Sequence, residues 1–525
     1  MKKFNVTGLC VPEKHYMVDT EDKLHQIIKL IDDEQYFTIN RARQYGKTTI
    51  LFLLERALIL SSKYICISLS FEGVGGTMFE SDENFCREFL IQVSEALRLN
   101  NYDFANEWID DSVSEFTQLG RHISRLCADK KIILMIDEVD ATSKNSVFLR
   151  FLAMLRNLYL QRPRGKVNTF HSVILAGVND IKNIKLKLIT AGLHKLESQE
   201  GNYNSPWNIA ANFDVEMFFT APEIATMLAD YENDHRTGMD ITAVSEEIFN
   251  FTGGYPFWVS RICKCIDEEL QPKQWNIQVV HEAVKKVTTE KNTLIDDLAK
   301  NLNNYKEIYN MMFSLLIVGE PIPFTTMNPN IELCYMHGYI LRNKMGYTAI
   351  SNKIYEILLA DYFASVETNS GLVERMVCNG LYNEIVTGGV FNMALCLSKF
   401  AEYFREIFSE KDMPFLEREG RLIFLSYLKP LLNGRGFFHI ESQNTDMRRM
   451  DVVVDYAQEQ FIIELKLWKG ERAQVRAYEQ LLNYMNARHL DKGYLLTFDF
   501  RKEGNREPKA EWVQVGDKEI FDVIV

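Results

Sequence analysis

Short apolar, β-branched runs alternate with longer amphipathic runs over the first 212 residues. Such alternation is typical of an α/β fold in which helices connect the strands of a parallel sheet. The predicted strands are residues 36–39, 64–71, 132–136 and 172–176. The predicted helices are residues 48–60, 84–97, 113–127 and 146–160. We therefore expect an α/β core over residues 1–212.

Strand signals stop after about Phe213, and helical patterns continue to about Lys300. Thr220 and Glu223 have the spacing of a capping box with a proline in the first turn, which predicts a helix start. Residues 252–256 interrupt the helical pattern. Short helices and a hairpin over residues 305–362 are typical of a winged helix. We expect a helical lid at 213–300, a winged helix at 301–365 and a linker at 365–371.

The remaining residues, 366–525, predict a second α/β domain with the order helix, β-hairpin, helix, strand. The first helix is expected at residues 417–431. The hairpin strands are expected at residues 451–456 and 461–467, joined by a turn at 457–460. Residues 371–410 carry no usable motif.

Composition sets limits on where the protein works. The chain has 525 residues, 46% of them hydrophobic and 25% charged, with a net charge of -13. Its nine cysteines are scattered, with Cys263 and Cys265 expected to pack in a helix, which favours a reducing compartment. The N-terminus has no apolar run of the signal-peptide kind. We expect a cytoplasmic protein without a membrane segment, whose contact with any nucleic acid is local.

A phosphate-binding loop is predicted between the first strand and the first helix of the core. Gly46, Lys47, Thr48 and Thr49 end this segment and begin the helix. Backbone N–H groups and a helix N-terminus bind phosphates, a lysine reaches the β- and γ-phosphates, and a hydroxyl binds Mg²⁺. Arg41 occupies the position where the usual loop motif has its first glycine, so the turn there needs another solution.

Carboxylates complete this predicted site. Asp137 and Glu138 directly follow a buried apolar strand, and such strands deliver ligands to the sheet edge. Asp137 is expected to bind Mg²⁺, and Glu138 to orient or activate the attacking water. Asn179 follows the next strand and either faces the γ-phosphate or is an ordinary turn residue.

Residues 41–49 resemble the R-x-R-x-x-G-K-T variant of the loop in the AAA-ATPase-like branch of the STAND ATPases. Asp137, Glu138 and Asp140 also match that branch. Residues 252–256 are similar to the Gly-x-Pro element of STAND lids, which implies that Pro256 lies near the adenine. The resemblance implies a parallel-sheet P-loop ATPase core, a helical lid and a winged helix that together act as an ATP-dependent switch.

A second group of charged residues is predicted to meet on the C-terminal hairpin. Glu464 and Lys466 share one strand face because side chains alternate along a strand. A hairpin centred between Gln458 and Glu459 sets Asp451 opposite Lys466 on that face, if this register holds. Two carboxylates and the Leu465 carbonyl would offer oxygen ligands suited to Mg²⁺ or Mn²⁺.

Met450-Asp451 with Glu464-Leu-Lys466 resembles the core motif of the PD-(D/E)XK nucleases. The resemblance implies a restriction-endonuclease-like α/β domain in which Asp451, Glu464 and Lys466 are catalytic. It also implies a further metal ligand at Glu419 on the preceding helix. Gln480 and Tyr484 are similar to the Q-x-x-x-Y element of the exonuclease-related branch. Basic residues near this site could contact phosphates or form a solvated surface: Arg435, Arg448, Arg449, Lys469, Arg472 and Arg476.

Together these features predict an ATP-binding, slowly hydrolysing switch that controls a Mg²⁺-dependent nuclease acting on DNA. By analogy with such architectures we expect a role in defence against foreign DNA, with a protein or foreign trigger. Two alternatives stay open: a regulatory or nucleic-acid-binding protein without cleavage activity, and an RNA nuclease. The sequence leaves the oligomeric state open.

Overall fold

The computed structural model describes residues 1–139, 145–177, 207–368, 381–407, 417–432, 436–442, 450–457, 459–499 and 509–525. For residues 367–368, 381, 406–407, 417–419, 441–442 and 450–451 it describes the backbone alone. The chain forms two compact units. The first contains Met1–Phe249, Gly254–Lys264 and Tyr335–Gly338. The second contains Asn250–Gly253, Cys265–Cys334 and Tyr339–Val525.

A four-stranded parallel sheet forms the centre of the first unit, with the strand order β1-β4-β3-β2. Its strands are β1 (Tyr36–Asn40), β2 (Ile65–Ser70), β3 (Ile132–Asp137) and β4 (Ser172–Gly177). Every residue of β3 and β4 is buried, as expected for a parallel sheet covered on both faces. The helices are α1 (Glu21–Asp32), α2 (Lys47–Ser61), α3 (Asp82–Leu99), α4 (Phe116–Leu126) and α5 (Ser146–Gln161). The predicted strands and helices of the core are confirmed within a few residues.

The helix predicted after Thr220 is also confirmed. Helix α6 (Ala221–His235) begins with a capping box, because the Thr220 hydroxyl accepts the Glu223 N–H while Glu223 accepts the Thr220 N–H at 2.6 Å. Gly254 lies within the break in the helical pattern that was predicted at residues 252–256. A Cβ atom there would lie 1.8 Å from the Phe219 carbonyl oxygen, and its φ is +75°, so only glycine fits.

Helices dominate the region from 241 to 368, where the structure gives α7 (Ile241–Thr252), α8 (Pro256–Lys264), α9 (Ile277–Thr289), α10 (Thr293–Asn304), α11 (Lys306–Phe313), α12 (Pro329–Met336) and α13 (Lys353–Thr368). The hairpin of β5 (Ile340–Arg342) and β6 (Thr348–Ile350) lies between the last two helices, as predicted. Its assignment to a winged helix stays a prediction. The linker was predicted at 365–371, but α13 continues to Thr368. The chain has no glycine or proline from the start of α13 to residue 370 that would end the helix earlier.

A six-stranded mixed sheet lies in the second unit, with the order β13-β14-β12-β11-β10-β9. Its strands are β9 (Gly436–Ser442), β10 (Met450–Tyr456), β11 (Glu459–Leu467), β12 (Lys492–Phe498), β13 (Lys509–Val515) and β14 (Lys518–Ile524). The other elements are α14 (Leu381–Ile385), β7 (Val386–Thr387), β8 (Val390–Phe391), α15 (Met393–Ile407), α16 (Glu417–Leu432) and α17 (Glu471–Ala487). The apolar side of α17 packs on the sheet through Ala477, Leu481 and Met485.

The predicted register of the β10–β11 hairpin is wrong by two residues. Val452 pairs with Ile463, and continuing this ladder by one residue sets Asp451 across from Glu464 rather than Lys466. The reason is a tighter turn: Ala457 adopts a φ of +54°, and β11 already begins at Glu459. A shift of two residues preserves the side-chain alternation, so Asp451, Glu464 and Lys466 still belong to the same face of the sheet.

Within the described residues, every helix is too short or too polar to cross a membrane.

Two buried polar side chains face each other near the β9 edge of this sheet. His439 is 1% exposed, and its Nδ1 lies 3.6 Å from Asp455 Oδ2. Burial lowers the pKa of His439 well below 6.5, with the nearby positive charges of Lys353 and Arg488 acting in the same direction. Burial raises the pKa of Asp455. His439 is therefore neutral in the folded protein and binds a proton more readily in the unfolded chain.

We expect the unfolding free energy of this sheet to decrease as the pH falls through about 6.5, by up to about 1.4 kcal/mol for each pH unit. Replacing His439 with glutamine should remove this contribution. Asp455 contributes with the opposite sign, because its raised pKa means that the folded state holds the proton more tightly than the unfolded chain does. The measurement is amide exchange of peptides covering β9 and β10 at pH 7.5 and 6.0. His489→Gln, at an exposed position, is the control, and an equal pH slope in wild type and His439→Gln would refute the assignment.

Candidate functional site

The loop between β1 and α2 makes its turn at positions other than Arg41. Positive φ values occur at Gln44 (56°) and at Gly46 (81°), directly before α2 begins at Lys47. The Arg41 guanidinium donates to the Asn40 carbonyl at 2.9 Å and to the Val215 carbonyl at 3.1 Å. Arginine at the first-glycine position thus ties the loop to the segment that follows the core, while the tight backbone turn falls on the next residues.

Lys47, Thr48 and Asp137 meet at the carboxyl end of the sheet. The Lys47 ammonium is buried and donates to the Arg41 and Ala42 carbonyls at 3.1 and 2.9 Å. The Thr48 hydroxyl donates to Asp137 Oδ2 at 2.7 Å. These two oxygens come from different elements, and both are of the kind that binds Mg²⁺, so this donor set fits the cation that accompanies a nucleotide.

Glu138 directly follows, in a backbone conformation that non-glycine residues seldom adopt. Its φ is +54°, and its N–H donates to Asp137 Oδ1 at 2.9 Å. Strained residues of this kind concentrate at functional sites. Asn179 and Asp140 lie outside the described residues, so their predicted roles have no structural counterpart here.

A cavity of about 80 Å³ lies beside the phosphate-binding loop. Its lining is mostly apolar and includes Ile50, Met217 and Phe219, together with Gly46 of the loop and Pro256 at the start of α8. Apolar pockets with a few polar groups suit a nucleobase. Thr49 also lines the cavity, and its hydroxyl accepts the Cys10 N–H at 3.2 Å, which joins the N-terminal segment to the loop. The predicted placement of Pro256 is compatible with this geometry.

On the C-terminal sheet, Glu464 and Lys466 form an ion pair on β11. The Glu464 side chain is 1% exposed and the Lys466 side chain 20% exposed. A buried carboxylate costs free energy unless it is paired, so the ammonium stabilises it. The Leu465 carbonyl lies between them on the same strand. Hard oxygen donors beside a positive charge fit a divalent cation and the phosphate it would contact.

Asp451 belongs to the same sheet face by register, and Glu419 lies in the first turn of α16; the side chains of both lie outside the described part. In the part of the chain whose side chains are described, three or more His, Cys, Asp or Glu residues do not come together as a metal site. The predicted metal ligands Asp451 and Glu419 therefore stay predictions.

Polar residues that the sequence interpretation missed connect α17 with this sheet face. Gln474 Nε2 donates to Thr497 Oγ1 at 3.3 Å and to Asp522 Oδ1 at 3.2 Å, and the Tyr478 hydroxyl donates to Asp522 Oδ2 at 2.7 Å. Burial and the hydrogen bond to Asp522 raise the pKa of Tyr478. The sequence did contain a signal for this pair, because Gln474 and Tyr478 have the same Q-x-x-x-Y spacing as Gln480 and Tyr484. They also lie in the first half of α17, closer to β11 along the chain.

Gln480 and Tyr484 lie in the second half of α17. The Tyr484 ring packs against the apolar cluster under the helix and lies beneath the Arg488 guanidinium at 5.6 Å. Gln480 is half-buried. Among the hydrogen bonds of the described residues, the Gln474–Tyr478 pair is the one joined to β12 and β14.

Three of the six predicted basic residues are described, and all three are exposed. They are Lys469, directly before α17, and Arg472 and Arg476, which are four residues apart on one face of that helix. Lys466 lies on the adjoining strand. This arrangement can attract a phosphate backbone or serve as a solvated surface. Arg435, Arg448 and Arg449 lie outside the described residues.

Comparison with known families gives two matches. Residues 16–364 match the AAA-like domain, and residues 437–507 match the PD-(D/E)XK nuclease superfamily. No curated protein matches the chain.

Several solved structures are similar to parts of the chain. The Walker-type ATPase PABY2304 of Pyrococcus abyssi is 12% identical, with 68% of this chain and 99% of that one covered and a TM-score of 0.45. The ORC2 protein of Aeropyrum pernix is 10% identical, with 67% and 93% covered and a TM-score of 0.35. The RuvB Holliday junction branch migration motor of Thermotoga maritima is 11% identical, with 63% and 92% covered and a TM-score of 0.34.

The family matches confirm both resemblances at the level of the AAA-like region and the nuclease superfamily. The first match covers well over half of the chain, from just before α1 through the β5–β6 hairpin and most of α13. The second covers the β9–β12 part of the C-terminal sheet, with Glu464, Lys466 and α17. The chain therefore belongs to the AAA-like domain family and carries a C-terminal region of the PD-(D/E)XK nuclease superfamily.

Proposed function

We propose that this protein is a metal-dependent nuclease whose activity is controlled by ATP binding and slow hydrolysis. The observation that carries the proposal is the buried Glu464–Lys466 ion pair, on a strand whose register sets Asp451 beside Glu464. The nuclease site is supported by two carboxylates and an amine on one sheet face. The separate phosphate-binding loop of the same chain supports a second hydrolytic site that controls the first. We further propose DNA as the substrate and defence against foreign DNA as the role.

In the nucleotide site, residues of three elements have distinct tasks. Lys47 would exchange its hydrogen bonds with the loop carbonyls for bonds with the β- and γ-phosphates. Thr48 and Asp137 would hold Mg²⁺, which neutralises charge on the phosphates. Glu138 would orient the attacking water. The cavity lined by Ile50, Phe219 and Pro256 would bind the base and exclude water around it.

In the nuclease site, Asp451, Glu464 and the Leu465 carbonyl would hold Mg²⁺ or Mn²⁺, with Glu419 as a further ligand. Such a cation lowers the pKa of bound water and neutralises charge on a phosphodiester. Lys466 would then be released from its ion pair with Glu464 and donate to the phosphate or to the water. Lys469, Arg472 and Arg476 would contact neighbouring phosphates, which makes substrate binding dependent on salt.

Regulation is supported by the short segment that joins α7 to α8. Within the first unit, the Tyr255 hydroxyl donates to the Arg43 carbonyl of the phosphate-binding loop at 2.7 Å. Within the second unit, the Phe251 ring lies 6.1 Å from that of Phe437 on β9. Only three residues lie between Phe251 and Tyr255 along the chain. A rearrangement of the loop on ATP binding would therefore reach the nuclease sheet through covalent continuity.

Contacts inside the second unit support the same coupling. Helix α13, which lies in the AAA-like region, packs against α16, which precedes the nuclease strands. The Lys429 ammonium donates to the Asp361 carbonyl at 2.7 Å, and the Ser426 hydroxyl donates to the Ala364 carbonyl at 3.3 Å. Burial raises the pKa of the Asp361 carboxyl group, which Lys429 partly offsets. A shift of α13 on ATP binding would therefore reach α16 and the nuclease strands that follow it.

The test incubates purified full-length protein with linear, circular and single-stranded DNA and with RNA, with Mg²⁺ and ATP each added or omitted. We expect cleavage of DNA that requires Mg²⁺ and changes at least several-fold in rate with ATP. Cleavage of RNA alone would identify an RNA nuclease. Tight binding of nucleic acid without cleavage under all conditions would instead indicate a regulatory binding protein and refute the nuclease proposal.

A further inference from the structure

Asp522 is a buried carboxylate outside the predicted catalytic set. It lies on β14 and is 1% exposed. Three side chains donate to it: Gln474 Nε2 at 3.2 Å, the Tyr478 hydroxyl at 2.7 Å and Lys509 Nζ at 3.2 Å. Burial opposes the charge of Lys509, but its bonds to Glu511 and Asp522 prevail and raise the pKa of Lys509. Each partner of Asp522 is thus a donor, and two of them belong to α17.

These bonds lead back to the candidate catalytic strand. Gln474 also bonds Thr497 on β12, and Thr497 is the register partner of Lys466. Leu495 on β12 pairs with Glu464 on one side and with Asp522 on the other. A row of hydrogen-bonded side chains therefore runs from β14 through α17 to the residue beside Lys466.

The position of Asp522 argues against a role as a metal ligand. Asp522 and Glu464 are separated by one intervening strand, which corresponds to about 10 Å between their backbones. Its oxygens already accept bonds from an amide, a phenol and an ammonium group. A carboxylate held in this way fixes the orientation of its partners and does not need a cation for charge balance.

We propose that Asp522 is a positioning residue for the nuclease reaction, which holds Gln474 and Tyr478 and thereby locks the first turns of α17 against the strands that carry Glu464 and Lys466. The inference rests on the proposed nuclease function. Through Gln474 and Thr497, this lock fixes the surroundings of Lys466. Positioning of this kind acts on the rate of the chemical step because small misplacements at a site are costly.

The test substitutes Asp522→Asn, which keeps the shape but replaces an acceptor by an NH₂ group that must face a donor. We expect kcat for DNA cleavage to fall by about ten-fold or more, with KM and the Mg²⁺ dependence little changed. Amide exchange of residues 471–478 should accelerate. Tyr478→Phe, which removes one donor and no charge, should lower kcat in the same direction. The double variant should be no worse than Asp522→Asn alone by more than about two-fold, because both act through one contact.

Glu519→Gln is the matched control, since it makes the same chemical change on the same strand at a more exposed position and should leave kcat within two-fold of wild type. A kcat of Asp522→Asn within two-fold of wild type, or additive effects in the double variant, would overturn the positioning role. A shifted Mg²⁺ requirement would instead identify Asp522 as a metal ligand and also overturn it. A wild-type protein that cleaves no nucleic acid would overturn the proposed function, and this inference with it.

Discussion

Glutamine in place of Glu464 is expected to reduce metal-dependent cleavage by more than about 100-fold while the C-terminal sheet stays folded. Glu464 is the described carboxylate of the candidate metal site, buried and paired with Lys466. Glutamine has nearly the same shape but no negative charge, so it keeps the packing of β11 and weakens cation binding. The measurement is the rate of DNA cleavage over a range of Mg²⁺ and Mn²⁺ concentrations.

The control for this substitution lies on the same strand. Glu459→Gln removes an exposed carboxylate at the start of β11 and should leave the rate unchanged. Asp451→Ala should match Glu464→Gln, because continuing the β10–β11 ladder sets residue 451 across from Glu464. Cleavage by Glu464→Gln at the wild-type rate, at saturating Mg²⁺, would show that the active site lies elsewhere.

Hydrophobic periodicity predicted the first sheet well because its strands are buried on both faces and its helices are amphipathic. The C-terminal sheet was predicted less completely. Strands β9, β13 and β14 were not predicted, and they carry His439, which faces Asp455, and Lys509 and Asp522, which form an ion pair. A strand that carries buried charged residues lacks a clean apolar pattern, so its partners become visible only when the sheet is assembled.

Register and helix rotation were the other properties that the sequence did not determine. The tight turn at Ala457 depends on a left-handed backbone conformation that alanine rarely adopts, so a longer turn was the reasonable expectation. On α17, two Q-x-x-x-Y pairs have the same spacing, and the packing of the helix on the sheet decides which pair faces β12. By contrast, the candidate site residues 47, 48, 137, 464 and 466 were proposed from the local motifs alone.

Arg41 shows how a departure from a motif can be resolved by geometry. The sequence indicated that arginine there conflicts with a tight turn. In the structure the turn lies at Gln44 and Gly46, and the Arg41 guanidinium donates to the carbonyls of Phe213 and Val215. The loop that would bind phosphates is thus hydrogen-bonded to the segment leading into α6. Because Lys47 donates to the Arg41 carbonyl, we expect its replacement to affect this segment as well as phosphate binding.

Lys47→Ala is expected to lower the affinity for Mg²⁺-ATP by more than about 100-fold, since two charge-assisted hydrogen bonds to phosphate oxygens contribute about 1.5–3 kcal/mol each. Calorimetric titration of the full-length protein measures this affinity, and the same variant should cleave DNA at a rate that no longer depends on ATP. Lys131→Ala, which removes an exposed lysine directly before β3, is the control for a general loss of positive charge. An unchanged ATP affinity in Lys47→Ala would remove the switch from the proposed function, whereas lost affinity with cleavage still responsive to ATP would place the nucleotide site elsewhere in the chain.

Glu138→Gln separates binding from turnover. This variant should bind ATP as the wild type does and hydrolyse it about 100-fold more slowly, because the attacking water loses its orienting carboxylate.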